Sequence, residues 1–139
     1  MLHDKLLENI IRYVDSLEGA RKRGVNWSDI YDVYSVLHAL QIYAQSVIDY
    51  LLHTCSILDM SGETPIRCIR NLVGAGLLDA DDGEVLRRLV GFRNIVVHEY
   101  GEVDVERVRR VVEAGGYVRV AEIIKKLHYE LRRRGLLDP

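Results

Sequence analysis

The sequence predicts an all-α fold, an up-and-down bundle of four to six helices. Apolar residues recur every three and four positions over long segments, and proline occurs only at Pro65 and Pro139. No segment alternates apolar and polar residues convincingly, as a half-buried strand would. Because 139 residues suffice for one hydrophobic core and are few for two ordinary domains, we expect a single helical domain over residues 1–139.

Two long apolar-periodic segments predict the first two helices. The first is followed by the basic, glycine-containing stretch ARKRGVN, and Asn26 or Ser28 is placed to cap the second. Asp29 then falls in the first turn, where the helix dipole favours negative charge. The apolar positions are Leu6, Leu7, Ile10, Ile11, Val14 and Leu17 in the first helix and Ile30, Val33, Tyr34, Leu37, Ala44, Val47, Ile48, Leu51 and Cys55 in the second.

Turn residues divide the rest of the chain into four further helical segments. Thr64 as cap, with Pro65 at the first helical position, opens a short third helix that stops in the glycine-containing stretch 74–76. The polar turn DADDGE leads to a fourth helix over residues 84–99.

Asp104 can cap a fifth helix, which Gly115 and Gly116 are expected to break before a last helix over residues 119–134.

The composition narrows the function classes. A net charge of -2 does not indicate a nucleic-acid-binding domain, so any contact with nucleic acid must come from a local site. The amino-terminal segment does not read as a signal peptide, and no apolar run reaches the ~20 residues that span a bilayer. We therefore expect a cytoplasmic protein.

The cysteines and carboxylates predict neither a metal nor a cofactor. Cys55 and Cys68 match no metal-ligand spacing, and in a reducing compartment we expect two buried free thiols. No cluster of carboxylates has a spacing that offers a magnesium site. Histidines outside the fourth helix are expected to serve packing: His38 and His53 in the core or an interface, and His128 in a solvated terminal helix.

The fourth helix carries two apolar stripes. Val85, Leu89, Phe92 and Val96 fall on one narrow face, which we expect to pack into the core.

A second ridge, spaced by fours, runs through Leu86, Val90, Asn94 and His98, with Gly91 beside it. One monomer core rarely needs both stripes, so the ridge predicts a homodimer interface; the alternative is that the first or last helix covers it. A two-fold dimer on this ridge would bring the two copies of His98 together.

Polar residues with catalytic capacity interrupt this helix in the stretch GFRNIVVHEY, residues 91–100. A pair of histidines can supply one base and one acid near neutral pH, and the arginine fork fits phosphate oxygens. Arg93 and His98 therefore provide the minimum groups for RNA cleavage without a metal: a base takes the 2′-hydroxyl proton, and arginine stabilises charge on the phosphate. The alternative is that both satisfy partners inside the fold.

The segment RNIVVHEY, residues 93–100, resembles the R-N-x-x-x-H-x-Y signature of the HepT-like branch of the HEPN superfamily. HALQIYAQSVIDYLLH, residues 38–53, is similar to the long second helix of that family. TPIRCIRNLVGAGLLD, residues 64–79, resembles the segment that precedes the signature helix. The similarity covers about residues 28–110, and GGYVRVAEI departs from the clean final helix of the family.

The resemblance implies a function and a partner. Proteins of this branch form small helical bundles that dimerise, and many are toxin ribonucleases of prokaryotic toxin-antitoxin pairs. Their usual partner is a minimal nucleotidyltransferase, which can neutralise the toxin by transferring AMP to the tyrosine of the signature. By this resemblance, Arg93 and His98 are catalytic in an endoribonuclease, Asn94 supports them, and Tyr100 is the AMPylation site.

Two other functions stay open at this level. The protein could be a non-catalytic subunit that binds nucleotide or substrate for a minimal nucleotidyltransferase. It could also be a structural dimer whose signature stabilises the interface. RNA cleavage that is lost in His98→Ala while the dimer persists would separate the ribonuclease from both.

Overall fold

The computed structural model describes residues 1–60, 64–98 and 104–139, and only the backbone of residues 94–98. Within these ranges the chain forms helices and no strand, which confirms the all-α prediction. The helices are α1 (Leu2–Arg23), α2 (Ile30–Ile57), α3 (Pro65–Gly74), α4 (Ala80–His98), α5 (Val105–Ala114) and α6 (Gly116–Arg133).

One connected apolar core receives side chains from every one of these helices. The long helix α2 packs against α1, α3, α4 and α5, and α6 closes the bundle against α1 and α4. Fully or almost fully buried examples, one from each helix in order, are Ile10, Leu40, Leu72, Leu86, Val112 and Ile124. Burial of this shared apolar surface is the main source of the bundle's stability.

The cap of α2 differs from the prediction. Asp29, and neither Asn26 nor Ser28, is the capping residue, and its side chain accepts a hydrogen bond from the Tyr31 amide. Asn26 is used one turn earlier, where its side chain accepts from the Ser28 amide. The predicted caps Thr64 and Asp104 are confirmed, because each side chain accepts from the amide three residues later.

Helix α4 begins four residues before its predicted start, because DADDGE is the first turn of the helix and not a connection. The Asp79 carboxylate accepts from the Asp82 amide at 2.7 Å, as a capping residue does. The Asp82 side chain then lies 3.4 Å from the Lys126 ammonium on α6. Gly83 permits a close approach of α3, since a Cβ atom there would lie 2.7 Å from Val73 Cγ2.

The predicted break between the last two helices is confirmed, but the irregularity expected at GGYVRVAEI is absent from this described segment. Gly115 has a left-handed backbone with φ of 65°, which ends α5 and starts α6. Helix α6 then runs without interruption over Gly116–Arg133, so GGYVRVAEI does not disturb it. The buried Tyr117 hydroxyl anchors its first turn by donating to the Glu18 carboxylate at 2.7 Å.

The prediction of two free thiols is wrong. Cys55 and Cys68 form a disulfide, with their Cα atoms 6.0 Å apart. The reason lies in the packing, since α3 contacts α2 and places Cys68 beside Cys55 in the last turn of α2. This bond ties two consecutive helices covalently and restricts the unfolded chain. None of the described helices is long and apolar enough to cross a bilayer.

Candidate functional site

Helix α4 carries the polar stretch singled out by its sequence, and the bundle buries the ridge of α4 that was predicted to meet a second copy. Leu86 is 0% exposed and Val90 is 4% exposed within a single chain, where α4 contacts α2, α3 and α6. The prediction that Leu86 and Val90 form a dimer interface is therefore wrong, because the chain's own core already covers them. The alternative, in which the first or last helix covers the ridge, is correct in that the chain itself buries it, but α4 contacts α2 and α3 as well as the last helix α6.

The other stripe of α4 is only partly in the core. Leu89 is buried, but Val85 and Phe92 are half-buried and line a groove of about 380 Å³ between α4, α5 and α6. Arg88 and Arg107 also line this groove, beside Tyr117. The sequence pattern missed the groove because a partly covered apolar stripe has the same periodicity as a fully covered one.

Arg93 is the predicted site residue whose side chain the structure describes most fully. Its side chain is half-buried, three residues after Val90 and four after Leu89, so its stem lies on the core side of α4. The Nε atom is shielded from solvent, and no acceptor in the described part of the chain hydrogen-bonds to it. Leaving a buried donor unsatisfied costs about 1–3 kcal/mol, and more for a charged group. The Nε–H group therefore remains a donor without an acceptor among the described residues.

The remaining signature residues fall at the edge of what the structure describes. Asn94 and His98 belong to the last turns of α4, but their side chains lie outside the described residues, and so does all of Tyr100. Gly91 is exposed, and a Cβ atom built there would meet nothing within 4 Å. The surface at Gly91 is therefore open on this chain, and the predicted contacts of Gly91, Asn94 and His98 with a second copy stay predictions.

Histidines elsewhere depart from their predicted roles. His128 is buried and not solvated: its Nδ1 accepts from the Tyr50 hydroxyl at 2.7 Å, and its Nε2 lies 3.1 Å from the Asp4 carboxylate. Burial lowers the pKa of His128, and the Asp4 charge opposes that effect. His38 is exposed on this chain, so it does not pack in the core and the interface alternative stays a prediction, whereas His53 is half-buried as expected.

Fold and site together define a class: a small helical bundle whose fourth helix carries a half-buried arginine with a shielded Nε that has no acceptor among the described residues. The model of a protein family described as "Ribonuclease HepT-like" matches residues 6–127. This match covers most of the chain. The protein belongs to the HepT-like ribonuclease family.

Individual relatives agree with this assignment. A curated protein of Archaeoglobus fulgidus, named provisionally as an RNase, is 26% identical over 107 residues, which are 73% of this chain and 80% of that protein. Among solved structures, a tri-AMPylated Shewanella oneidensis HEPN toxin in complex with an MNT antitoxin has a TM-score of 0.74 at 22% identity, covering 89% of this chain and 96% of that one.

A second solved structure, a toxin-antitoxin with AMP-PNP, has a TM-score of 0.73 at 21% identity, covering 89% of this chain and 97% of that one. At these identities, the two structures establish the likeness of fold.

Proposed function

We propose that this protein is the endoribonuclease toxin of a prokaryotic toxin-antitoxin pair and cleaves RNA without a metal ion at a site shared by two copies. The observation that carries the proposal is the shielded Nε of Arg93, which has no acceptor in the described part of the chain and lies on the helix that continues to His98. Membership of a ribonuclease family supplies the reaction class. We also propose that residues 1–139 form a single domain and that the protein is cytoplasmic, as the sequence predicts.

The proposed reaction is a transfer within the RNA strand. One His98 takes the proton of a 2′-hydroxyl, and the resulting oxygen attacks the adjacent phosphorus. The bond from phosphorus to the 5′ oxygen breaks, and the second His98 returns a proton to that oxygen. Arg93 binds the non-bridging oxygens, where negative charge increases in the transition state. Asn94 supports this arrangement.

The proposed dimer needs a smaller interface on α4 than the sequence predicted. Leu86 and Val90 belong to the core of one chain, so the contact is formed by Gly91, Asn94, His98 and the surface near them. The open surface at Gly91 supports a close approach of a second backbone there. The two catalytic histidines then meet across the two-fold axis.

The cleavage test compares three proteins on one structured RNA in the presence of a chelator. The wild type is expected to cleave, His98→Ala is expected to lose about 100- to 10,000-fold of the activity, and the control His38→Ala, on exposed α2 surface, is expected to retain it. Size-exclusion chromatography and circular dichroism verify that dimer and fold persist. Equal cleavage by His98→Ala would refute the proposal.

The proposed control of the toxin is covalent. A nucleotidyltransferase antitoxin catalyses attack of the Tyr100 hydroxyl on the α-phosphorus of ATP, which forms a tyrosyl-AMP bond and releases pyrophosphate. The charged adduct then excludes RNA phosphate from the neighbourhood of His98. Support comes from the fold likeness to a tri-AMPylated HEPN toxin that is bound to an MNT antitoxin.

Intact mass tests this step. Co-expression with a candidate nucleotidyltransferase is expected to add AMP masses to the wild type and to remove its cleavage. Tyr100→Phe should lose the modification that inactivates the toxin, and Tyr129→Phe, an exposed tyrosine on α6, should not. A stable complex without any mass gain, and a protein that never cleaves RNA, would favour the non-catalytic partner subunit instead.

A further inference from the structure

A cluster of metal-ligating groups lies where the two ends of the chain meet, on elements other than the signature helix. His3 comes from α1, His53 from α2 and Asp138 from the segment after α6. One ligating atom from each lies within 4.8 Å of the other two. His3 is 0% exposed, and the side chains of His53 and Asp138 are 20% and 9% exposed, so the cluster is mostly shielded from water.

The hydrogen bonds around His3 select one tautomer. The Thr54 hydroxyl donates its single proton to the Tyr50 carbonyl at 2.8 Å, so its oxygen must accept the 3.0 Å bond from His3 Nε2. His3 Nδ1 correspondingly accepts from the Asp138 amide at 3.2 Å. In the neutral ring the proton is therefore on Nε2 and the lone pair is on Nδ1, as metal ligation through Nδ1 requires.

A short contact joins the ring to the carboxylate. His3 Nδ1 lies 2.9 Å from Asp138 Oδ1, the distance of a hydrogen bond when Nδ1 carries a proton. A divalent ion bound to both atoms would take the place of that proton. The Asp138 carboxylate already accepts from the Met1 amino group and from the amides of Leu2 and His3, so it is held in place for a further contact.

An independent observation on His53 points to the same place. Its Nε2 is buried, and within the described ranges it has no hydrogen-bond partner. The atom lies 3.3 Å from Asp138 Oδ2, close but without hydrogen-bond geometry. Buried imidazole nitrogens are normally satisfied, so this atom requires an explanation. Coordination of a metal by Nε2 provides one.

We propose that His3 Nδ1, His53 Nε2 and the Asp138 carboxylate bind one Zn²⁺-like divalent ion that fastens α1, α2 and the carboxyl-terminal segment together. Two imidazoles and one carboxylate suit Zn²⁺ and not Mg²⁺, which prefers oxygen ligands. Zinc bonds of about 2.0–2.2 Å separate tetrahedral ligands by roughly 3.3 Å. The separations of 2.9 Å from His3 Nδ1 to Asp138 Oδ1 and 3.3 Å from His53 Nε2 to Asp138 Oδ2 are close to this value, and the two ring nitrogens lie within 4.8 Å of each other.

The sequence predicted no metal, because ligands at positions 3, 53 and 138 have no recognisable spacing. The ion would replace the weak contact between the Asp138 amide and His3 Nδ1, and the Thr54 hydroxyl would orient the ligating ring from outside. Its role is structural and independent of RNA cleavage, since the proposed catalytic residues lie on or next to α4.

The test uses the full chain without a polyhistidine tag, stripped with chelator and then titrated with Zn²⁺ or Co²⁺. We expect one bound ion per chain by elemental analysis, a Co²⁺ absorption band of a nitrogen- and oxygen-ligated site, and a higher melting temperature with Zn²⁺ than with Mg²⁺. His53→Ala and Asp138→Asn should each lose at least about 100-fold in affinity. His38→Ala, an exposed histidine on the same helix, should bind as the wild type does.

A further pair of variants tests the orienting hydroxyl. Thr54→Val should weaken binding about 10- to 100-fold, and Thr54→Ser should restore it because the accepting oxygen is kept. Binding of Zn²⁺ that is equal in the wild type, His53→Ala and Asp138→Asn, or a wild type that binds none, would overturn the proposal. Circular dichroism identifies any variant that does not fold. Zn²⁺ affinity is then compared only among the variants that do fold.

Discussion

Arg93 and His128 are both titratable residues on helices that contribute to the core, yet their hydrogen bonding differs. His128 on α6 uses both ring nitrogens within the chain, one with the Tyr50 hydroxyl at 2.7 Å and one with Asp4 at 3.1 Å. Arg93 on α4 is only half-buried, but its Nε is shielded and no described residue accepts its proton. His128 therefore has a partner for each ring nitrogen, whereas the shielded Nε of Arg93 has none among the described residues.

The difference separates structural from functional polar groups. A buried polar group that finds its partners inside the chain contributes to stability, and its removal leaves those partners unsatisfied. A shielded charged donor without a partner costs stability, which is reasonable where a ligand will supply the acceptor. On this basis we expect His128 to stabilise the fold and propose that Arg93 acts in the catalytic site.

Substitution of Arg93 is expected to have the largest effect, and this effect is on the rate of RNA cleavage. Arg93→Ala should reduce RNA cleavage about 100- to 1,000-fold, because the developing phosphate charge loses its donor, and should leave the melting temperature unchanged or higher. The cleavage rate of Arg93→Lys should lie between those of the wild type and Arg93→Ala, because lysine keeps the positive charge but lacks the planar pair of guanidinium donors. Cleavage rates and thermal melts measure both. Arg87→Ala, an exposed arginine on the same helix, is the control. If Arg93→Ala cleaves RNA as the wild type does and is strongly destabilised, Arg93 is a structural residue and not a catalytic one.

Removal of the Cys55–Cys68 disulfide should have the next largest effect, which is a loss of stability without a loss of RNA cleavage. Replacing Cys55 and Cys68 together by alanine should lower the free energy of unfolding by about 2–4 kcal/mol, as removal of a short covalent loop does. Chemical denaturation measures it. Mass spectrometry should also find the native wild type two hydrogens lighter than its reduced form. No change in stability on adding reductant would indicate that the bond does not form in solution.

Removing the partner of His128 should have a smaller effect. Tyr50→Phe keeps the buried ring and deletes the hydroxyl that donates to His128 Nδ1, which should destabilise the fold by about 1–3 kcal/mol. RNA cleavage at a temperature where the variant is folded should equal that of the wild type. Tyr129→Phe, on exposed α6 surface, is the matched control. Loss of cleavage by the folded Tyr50→Phe variant would show that this pair is not purely structural.

The smallest expected effect is a dependence of stability on pH through Glu18. Hydrogen bonds from Tyr117, and then from Arg21, lower the pKa of Glu18 below its ordinary value of 4.5. Because the folded pKa is the lower one, this stabilisation is present above pH 4.5 and is lost as the pH falls through the folded value. Tyr117→Phe should therefore reduce the fall in melting temperature below pH 4.5. An unchanged slope would mean that Arg21 alone sets this pKa.

The sequence predicted helices well where local signals decide them. Thr64 with Pro65, Asp104 and Gly115 each act through their own backbone neighbourhood, and all three lie where the pattern placed them. Asp79 shows the limit of such signals, because an aspartate in a polar run reads equally as turn or cap.

Features that depend on how the helices pack could not be predicted in the same way. Both apolar stripes of α4 have helical periodicity, and only the packing of α2, α3 and α6 decides that Leu86 and Val90 are buried as well as Leu89. The disulfide and the cluster of His3, His53 and Asp138 join residues that are distant in sequence. Of the candidate site, Arg93 is described as half-buried and unpartnered within the described chain, and the roles of Asn94, His98 and Tyr100 stay predictions.

The chemical ends of the cleaved RNA test the central claim most directly. The wild type, incubated with a defined RNA in chelator, should produce fragments that end in a 2′,3′-cyclic phosphate and begin with a 5′-hydroxyl, as attack by the 2′ oxygen requires. An RNA with a 2′-deoxy residue at the cleavage position should remain intact. Fragments with 5′-phosphate and 3′-hydroxyl ends, or cleavage next to the deoxy residue, would contradict metal-free catalysis by Arg93 and His98.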